Sequence, residues 1–152
     1  MVQNNGWIGF GISPNGGMLY SDVAVTFVNP DGSVNFTNRH MTDQRATFIN
    51  ANPHWFLLYF SQNGTTMTSI FTRKINICGV AASDNPINIS PGTQYVIFSW
   101  GNQFIQGDIT YHGPNNRSST SLPLISTVNQ AISLNMTGIE VTDFTVNVRQ
   151  PH

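Results

Sequence analysis

The side chains best suited to holding a soft metal are few in this sequence, and they are spread along it. Met18 follows the turn-forming run Ser13-Pro-Asn-Gly-Gly17, just ahead of an alternating apolar segment that starts at Asp22. A thioether is a soft donor, although methionine in a β protein is most often core filler. Of the four histidines, His112 sits in Tyr111-His-Gly-Pro114, where a short strand gives way to a loop. His40 falls late in a strand and is expected to be exposed; His54 stands beside Pro53, and His152 is terminal. An isolated imidazole is more often structural than ligating. No H-x-x-x-H, H-x-H or C-x-x-C spacing offers a zinc or copper site. No G-x-S-x-G elbow occurs, and the acids are scattered without an obvious glycosidase pair. Cys78 has only Arg73 and Lys74 near it in sequence, a weak setting for a catalytic thiolate. Gly9-Phe-Gly11 runs into Ile-Ser-Pro and not into a helix, which excludes a phosphate-cradling loop.

Composition narrows the partners. The chain has 152 residues, the size of one domain with a real core, and its net charge is −1. Only 9% of residues are charged, too few to neutralise a row of phosphates, so nucleic acid is not an expected partner. The longest apolar run, Trp55–Phe60, falls far short of the roughly 20 residues of a membrane-spanning helix. No signal peptide opens the sequence. Polarity comes from Asn, Thr, Ser and Gln, which suits a secreted or lumenal β protein. Five N-x-[ST] sequons agree, at Asn35, Asn63, Asn88, Asn116 and Asn135, with Asn88 the weakest because Pro91 follows its Ser90. A single cysteine, Cys78, cannot close a disulfide within the chain. It is either a small buried apolar group or a thiol whose partner lies elsewhere.

The elements that must position these groups read as strands. Pro and Gly recur every ten to fifteen residues, and the apolar runs between them are short. Strands are expected at Trp7–Ile12, Asp22–Val28, Val34–Met41, Trp55–Gln62, Met67–Ile75, Gln94–Trp100 and Ile109–Tyr111, with a weaker one at Leu122–Ser126. Asn29-Pro-Asp-Gly32 and Gln62-Asn-Gly-Thr65 are hairpin turns, and Gly79–Thr93 is a long loop. Trp55–Phe60 is apolar on both faces and is expected as a central strand between packed layers. No helix-period segment of useful length appears, and seven or more short strands predict an antiparallel, immunoglobulin-like β-sandwich. The tail after Ser126 reads as an extended linker or a last edge strand.

The first strand is unusual. Trp7-Ile-Gly-Phe-Gly-Ile12 puts Ile8, Phe10 and Ile12 on one face and Trp7, Gly9 and Gly11 on the other. Two missing side chains beside a Trp leave a flat slot, made either for a ligand or for close sheet packing.

Gly6-Trp-Ile-Gly-Phe-Gly-Ile-Ser-Pro-Asn-Gly-Gly-Met18, with Ser21-Asp-Val23 after it, resembles the signature of DOMON domains. The likeness is strongest to those preceding the copper domains of dopamine-β-hydroxylase-like monooxygenases. Phe71-Thr-Arg-Lys74 with Cys78, and Tyr111-His-Gly with Arg117 and Ser121-Leu122, are similar to later stretches of that family. The resemblance covers residues 6–125 and implies a β-sandwich that binds b-type haem or, in some branches, sugars. It implies Met18 and His112 as axial ligands and Gly9 and Gly11 as a bared wall for the porphyrin plane. It also implies Trp7 and Tyr111 as packing partners and Arg117 as a propionate partner. Such ligation leaves no open iron position, so the implied role is electron transfer or redox sensing.

The resemblance also has departures. The family's domain usually has two strands ahead of the Gly-Trp motif, and five residues precede Gly6 here, so those first strands are expected to be missing. The domain is expected over residues 1–126, with 127–152 a connector towards copper monooxygenase domains that are absent. Cys78 is then implied to pair with that missing part. The parent is implied to be a secreted copper- and ascorbate-dependent monooxygenase, with copper confined to the absent domains, whereas this chain alone is not expected to be an enzyme. A divalent-metal site of some relatives retains only Asp22, with the second acid replaced near His54, and is not expected. Two rival readings are a cofactor-free accessory domain docked on the copper domains, and a sugar-binding sandwich using Trp7, Trp55 or Trp100.

Overall fold

The computed structural model describes residues 6–42, 47–64, 66–79, 84–101, 104–105, 108–125 and 144–148. Strands follow in the order β1 Trp7–Ser13, β2 Asp22–Val28, β3 Val34–Met41, β4 Thr47–Ile49, β5 Trp55–Asn63, β6 Thr66–Arg73, β7 Gly92–Gly101, β8 Phe104–Ile105, β9 Asp108–Ile109, β10 Arg117–Ile125 and β11 Phe144–Val148. A six-stranded sheet runs β10-β7-β1-β2-β3-β4 and a three-stranded sheet runs β11-β6-β5; β8 and β9 form a small ribbon. Every pairing is antiparallel. The all-β sandwich expected from the sequence is therefore the fold. Among the described residues no helix is long and apolar enough to cross a membrane.

Alternation along β1 assigns the two faces of the large sheet. Phe10 and Ile12 point inward and meet Ala24, Val96, Trp55 and Phe71 in the core between the sheets. Trp7 points the opposite way and packs with Val23, Val25 and Phe27 in a second cluster on the outer face. Burying side chains on both faces explains why β1 and β2 are buried along their whole length. The hairpin turns are as expected. Gly32 takes φ +85° and donates to Asn29 O at 2.9 Å, and Gly64 takes φ +58° between β5 and β6.

Three expectations need correction. The Trp55–Phe60 run is an edge strand, not a central one, since β5 pairs with β6 alone among the described residues. The register slips between Leu57 and Tyr59, and this bulge turns Leu58 and Tyr59 to solvent together with Phe56. His40 is buried, because the short unforeseen strand β4 lies against it. Phe48 stacks on its ring at 5.6 Å, and its Nδ1 meets Asn50 Oδ1 at 2.8 Å. The last expected strand begins five residues earlier than Leu122, at Arg117, because exposed Ser and Thr pair along the sheet edge without an apolar pattern. Of the two readings of the tail, Phe144–Val148 takes the strand and adds to β6, within the stretch expected as a connector. The rest of that stretch, with Asn135 and His152, lies outside the described residues.

Candidate functional site

A cleft of about 420 Å³ opens on the outer face of the large sheet, away from the core between the sheets. Trp7, Gly9, Val25 and Ile97 line its floor, Met18 and His112 belong to its walls, and Arg117 stands at its rim. A cleft of this size is in the range of small-molecule and cofactor sites.

Met18 is brought here by a knotted turn after β1. Ser13 Oγ donates to Gly17 O at 2.6 Å, Gly17 N donates to Asn15 Oδ1 at 3.0 Å, and Gly16 takes φ +82°. Past the methionine, Ser21 grips the Met18 carbonyl twice, through Oγ at 2.6 Å and through N at 3.2 Å. Between them Tyr20 sits at φ 59°, a left-handed conformation that a non-glycine residue rarely holds. Its N–H donates to Met41 O at 3.1 Å, which ties the turn to β3.

His112 comes from the other end of the domain, on the segment between β9 and β10. Its ring lies 4.7 Å from that of Tyr111 and 6.4 Å from that of Trp7. Nδ1 is 2.5 Å from Gly113 O. A carbonyl oxygen only accepts, so Nδ1 carries the hydrogen and Nε2 presents its lone pair. That lone pair faces Met18 Sδ at 3.4 Å, across 94 residues of sequence. In the neutral ring neither atom then has a hydrogen to give the other. A thioether and an imidazole lone pair opposed in this way gain little from each other.

The other expected site residues divide. Gly9 lines the cleft floor, and a Cβ there would meet Ser99 Oγ and Trp7 Cζ3 at 3.5 Å, ordinary contact. Gly11 is different: Val23 occupies the space its side chain would need, and it is not a lining residue. The flat slot is thus one glycine long, because β2 packs its own side chain over the second. Trp7 lies across the sheet, and it is Gly101 on β7 that makes room for its indole, a Cβ there falling 2.7 Å from Trp7 Cε2. The Trp7 Nε1–H is buried without a hydrogen-bond partner among the described residues. Tyr111 is exposed beside His112, and Arg117 is exposed opposite Ser99 on β7. Cys78 carries an exposed free thiol.

Sequence reasoning missed two charge clusters. Asp22 is fully buried between the sheets and accepts from His54 Nε2 at 2.8 Å, Trp55 Nε1 at 2.8 Å and Arg73 Nη2 at 2.6 Å. Burial alone would raise its carboxyl, but the His54 bond, the Arg73 charge and the Trp55 bond hold it below the usual carboxylate range. Internal donors thus take up the carboxylate that the family likeness had left as a lone acid. On the outer face, Arg39 reaches Asp108 at 2.6 Å. The available signal was scarcity, since any mid-strand cation stands out in a chain with six Lys and Arg.

A chain with this sandwich and these motifs matches the DOMON domain family over residues 1–101, and it belongs to that family. The match includes Met18 and β1 and stops short of His112. The chain is 28% identical over 100 residues to DBH-like monooxygenase protein 2 of Mus musculus, covering 66% of this chain and 16% of that protein. It is 27% identical over 126 residues to DBH-like monooxygenase protein 1 of Gallus gallus, covering 82% of this chain and 20% of that protein. The chain therefore spans a fifth or less of the length of these curated relatives.

Proposed function

We propose that the outer-face cleft binds a b-type haem between Met18 and His112, and that the domain serves as an electron-transfer or redox-sensing module of a larger DBH-like protein. The observation that carries the reading is the opposed pair of lone pairs, Met18 Sδ and His112 Nε2, at the wall of an apolar cleft. Metal–ligand bonds of about 2 Å or slightly more on each side require a span of roughly 4–5 Å. The observed 3.4 Å is shorter, so the two donors, both outside the strands, would have to part by about 1 Å to admit a metal. Gly9 leaves the floor bare, Trp7 and Tyr111 offer ring faces, and the exposed Arg117 guanidinium suits a carboxylate at the rim. Haem held by these two residues would supply a one-electron couple without a free position for oxygen, and the thioether would favour the ferrous form. The protein's part is to fix the Nε2 lone pair through the Gly113 bond and to exclude water with the Trp7 cluster. Adding haem to the full chain should give a six-coordinate low-spin spectrum. Met18→Ala and His112→Ala should each convert it to a five-coordinate one, and an unchanged spectrum in either variant would overturn the reading.

A secreted setting goes with this proposal. Asn35 and Asn63, in two of the sequons, are exposed at strand positions. A second reading has the domain dock without cofactor on copper monooxygenase domains of the parent. Exposed Phe56, Leu58 and Tyr59 on β5 and the free Cys78 thiol favour it. It calls for no Soret band after haem addition and for a Cys78 disulfide in the longer protein. Sugar binding lacks support from the tryptophans: Trp7 and Trp55 are each 3% exposed, and Trp100 packs against the core cluster around Ile8 and Met67.

A further inference from the structure

We infer that Arg39 and Asp108 form a strap that holds the His112 segment down over the cleft, which makes Arg39 a positioning residue for the imidazole. The inference rests on the haem reading for its functional meaning and on the hydrogen bonds for its existence. Arg39 lies on β3 opposite Val23, so its side chain rises on the same outer face as the cleft floor. It is only 2% exposed, and each nitrogen has an assigned partner. Nε donates to Thr37 Oγ1 at 2.9 Å, and Nη1 donates to Thr47 Oγ1 on β4 at 3.0 Å. The guanidinium is therefore fixed from two strands before Nη2 reaches Asp108 Oδ1 at 2.6 Å.

Asp108 is the outer partner, 56% exposed, and it stands four residues ahead of His112. The same Oδ1 also accepts the Ile109 N–H at 2.7 Å, which sets the direction of the backbone as it leaves for His112. At the far end of the segment, Asn116 O accepts from Trp100 N on β7 at 3.0 Å. The segment thus has one tether to β3 and another to β7, with His112 between them. Arg39 is absent from the cleft lining; it touches the lining at Thr47 and reaches the His112 segment through Asp108. A shielded guanidinium fork with every nitrogen engaged is also worth more than an exposed ion pair.

The test uses Asp108→Asn and Arg39→Lys in the full chain. Without haem, Asp108→Asn should raise amide hydrogen exchange of Ile109–Gly113 about tenfold while leaving β1 and β2 unchanged. Arg39→Lys should show the same localised rise to a smaller extent, since lysine keeps the charge but not the planar fork. With haem, Asp108→Asn should speed carbon monoxide binding to the ferrous form by about tenfold and Arg39→Lys by less, because an opened segment releases the imidazole more often. Exchange at Ile109–Gly113 within twofold of the parent chain, or a rise spread evenly over the sheets, would overturn the strap. So would an unaltered carbon monoxide rate in haem-loaded Asp108→Asn. Failure of the parent chain to bind haem would instead sink the proposed function, and the exchange result would still decide the strap.

Discussion

Arg73 Nη2 lies 2.6 Å from Asp22 Oδ2, and the two side chains, 51 residues apart in sequence, are buried together between the sheets. Arg73 also covers the Trp55 ring at 4.9 Å from its centroid, and Trp55 in turn donates to Asp22. Removing the carboxylate leaves a buried guanidinium without a counter-charge. Asp22→Asn should therefore cost about 3–5 kcal/mol, read as a lowered urea midpoint. A loss below about 1 kcal/mol would mean that the pair is dispensable.

Acid should find the same weak point. The Asp22 carboxyl is held below its ordinary value in the folded chain, despite burial, by His54, Arg73 and Trp55. The unfolded chain then binds more protons in the interval between the two values. Its contribution to stability is complete above the unfolded value of about 3.9 and is lost as pH falls through the lower folded value. Near-UV circular dichroism across an acid titration should show this loss, and Asp22→Asn should flatten the slope in that interval.

The contact between Met18 and His112 should be nearly silent in the haem-free protein. Met18 is half-buried in a turn, and its contact with His112 joins two acceptors, so Met18→Ala should change stability by about 1 kcal/mol or less. Met18→His should keep haem six-coordinate and lower its midpoint potential, because imidazole favours the ferrous form less than a thioether does. Thermal melts and redox titration check the two halves of this expectation.

Glycines of the outer face should differ sharply. Gly101→Ala places a Cβ against the Trp7 pyrrole edge and should cost about 1–3 kcal/mol with a shift in tryptophan fluorescence. Gly9→Ala meets its neighbours at 3.5 Å and should cost the fold about 1 kcal/mol or less. A bulkier Gly9→Phe should fold and block the cleft, which haem titration reads directly.

Cys78 should react with a maleimide in the native chain, since its thiol is exposed. Cys78→Ser should shift the unfolding midpoint by no more than about 0.5 kcal/mol.

The sandwich was legible because period-two alternation and turn chemistry are local. Val96, Phe98 and Trp100 read onto one face of β7, and Asn29–Gly32 read as a turn. The convergence of Met18 with His112 came from family likeness, since no local pattern links positions so distant in sequence. What escaped depends on tertiary neighbours. The bulge in β5 reverses which apolar residues face inward, and three-residue β4 is too short to show a period, yet it buries His40. Val23 fills the place of the missing Gly11 side chain, a fact that belongs to β2 and not to the glycine. Arg39 and Asp108 could be seen as charges but not as a couple, because their meeting depends on how the segment after β7 folds back.

The cleft sits on the far side of the large sheet from the core of Phe10, Trp55 and Phe71. Its floor nonetheless holds the buried side chains of Trp7 and Val25, so a change there acts on folding as well as on the cleft. The same sheet thus serves the core with one face and the cleft with the other, and substitutions along β1 and β2 fall on one or the other by the parity of their position.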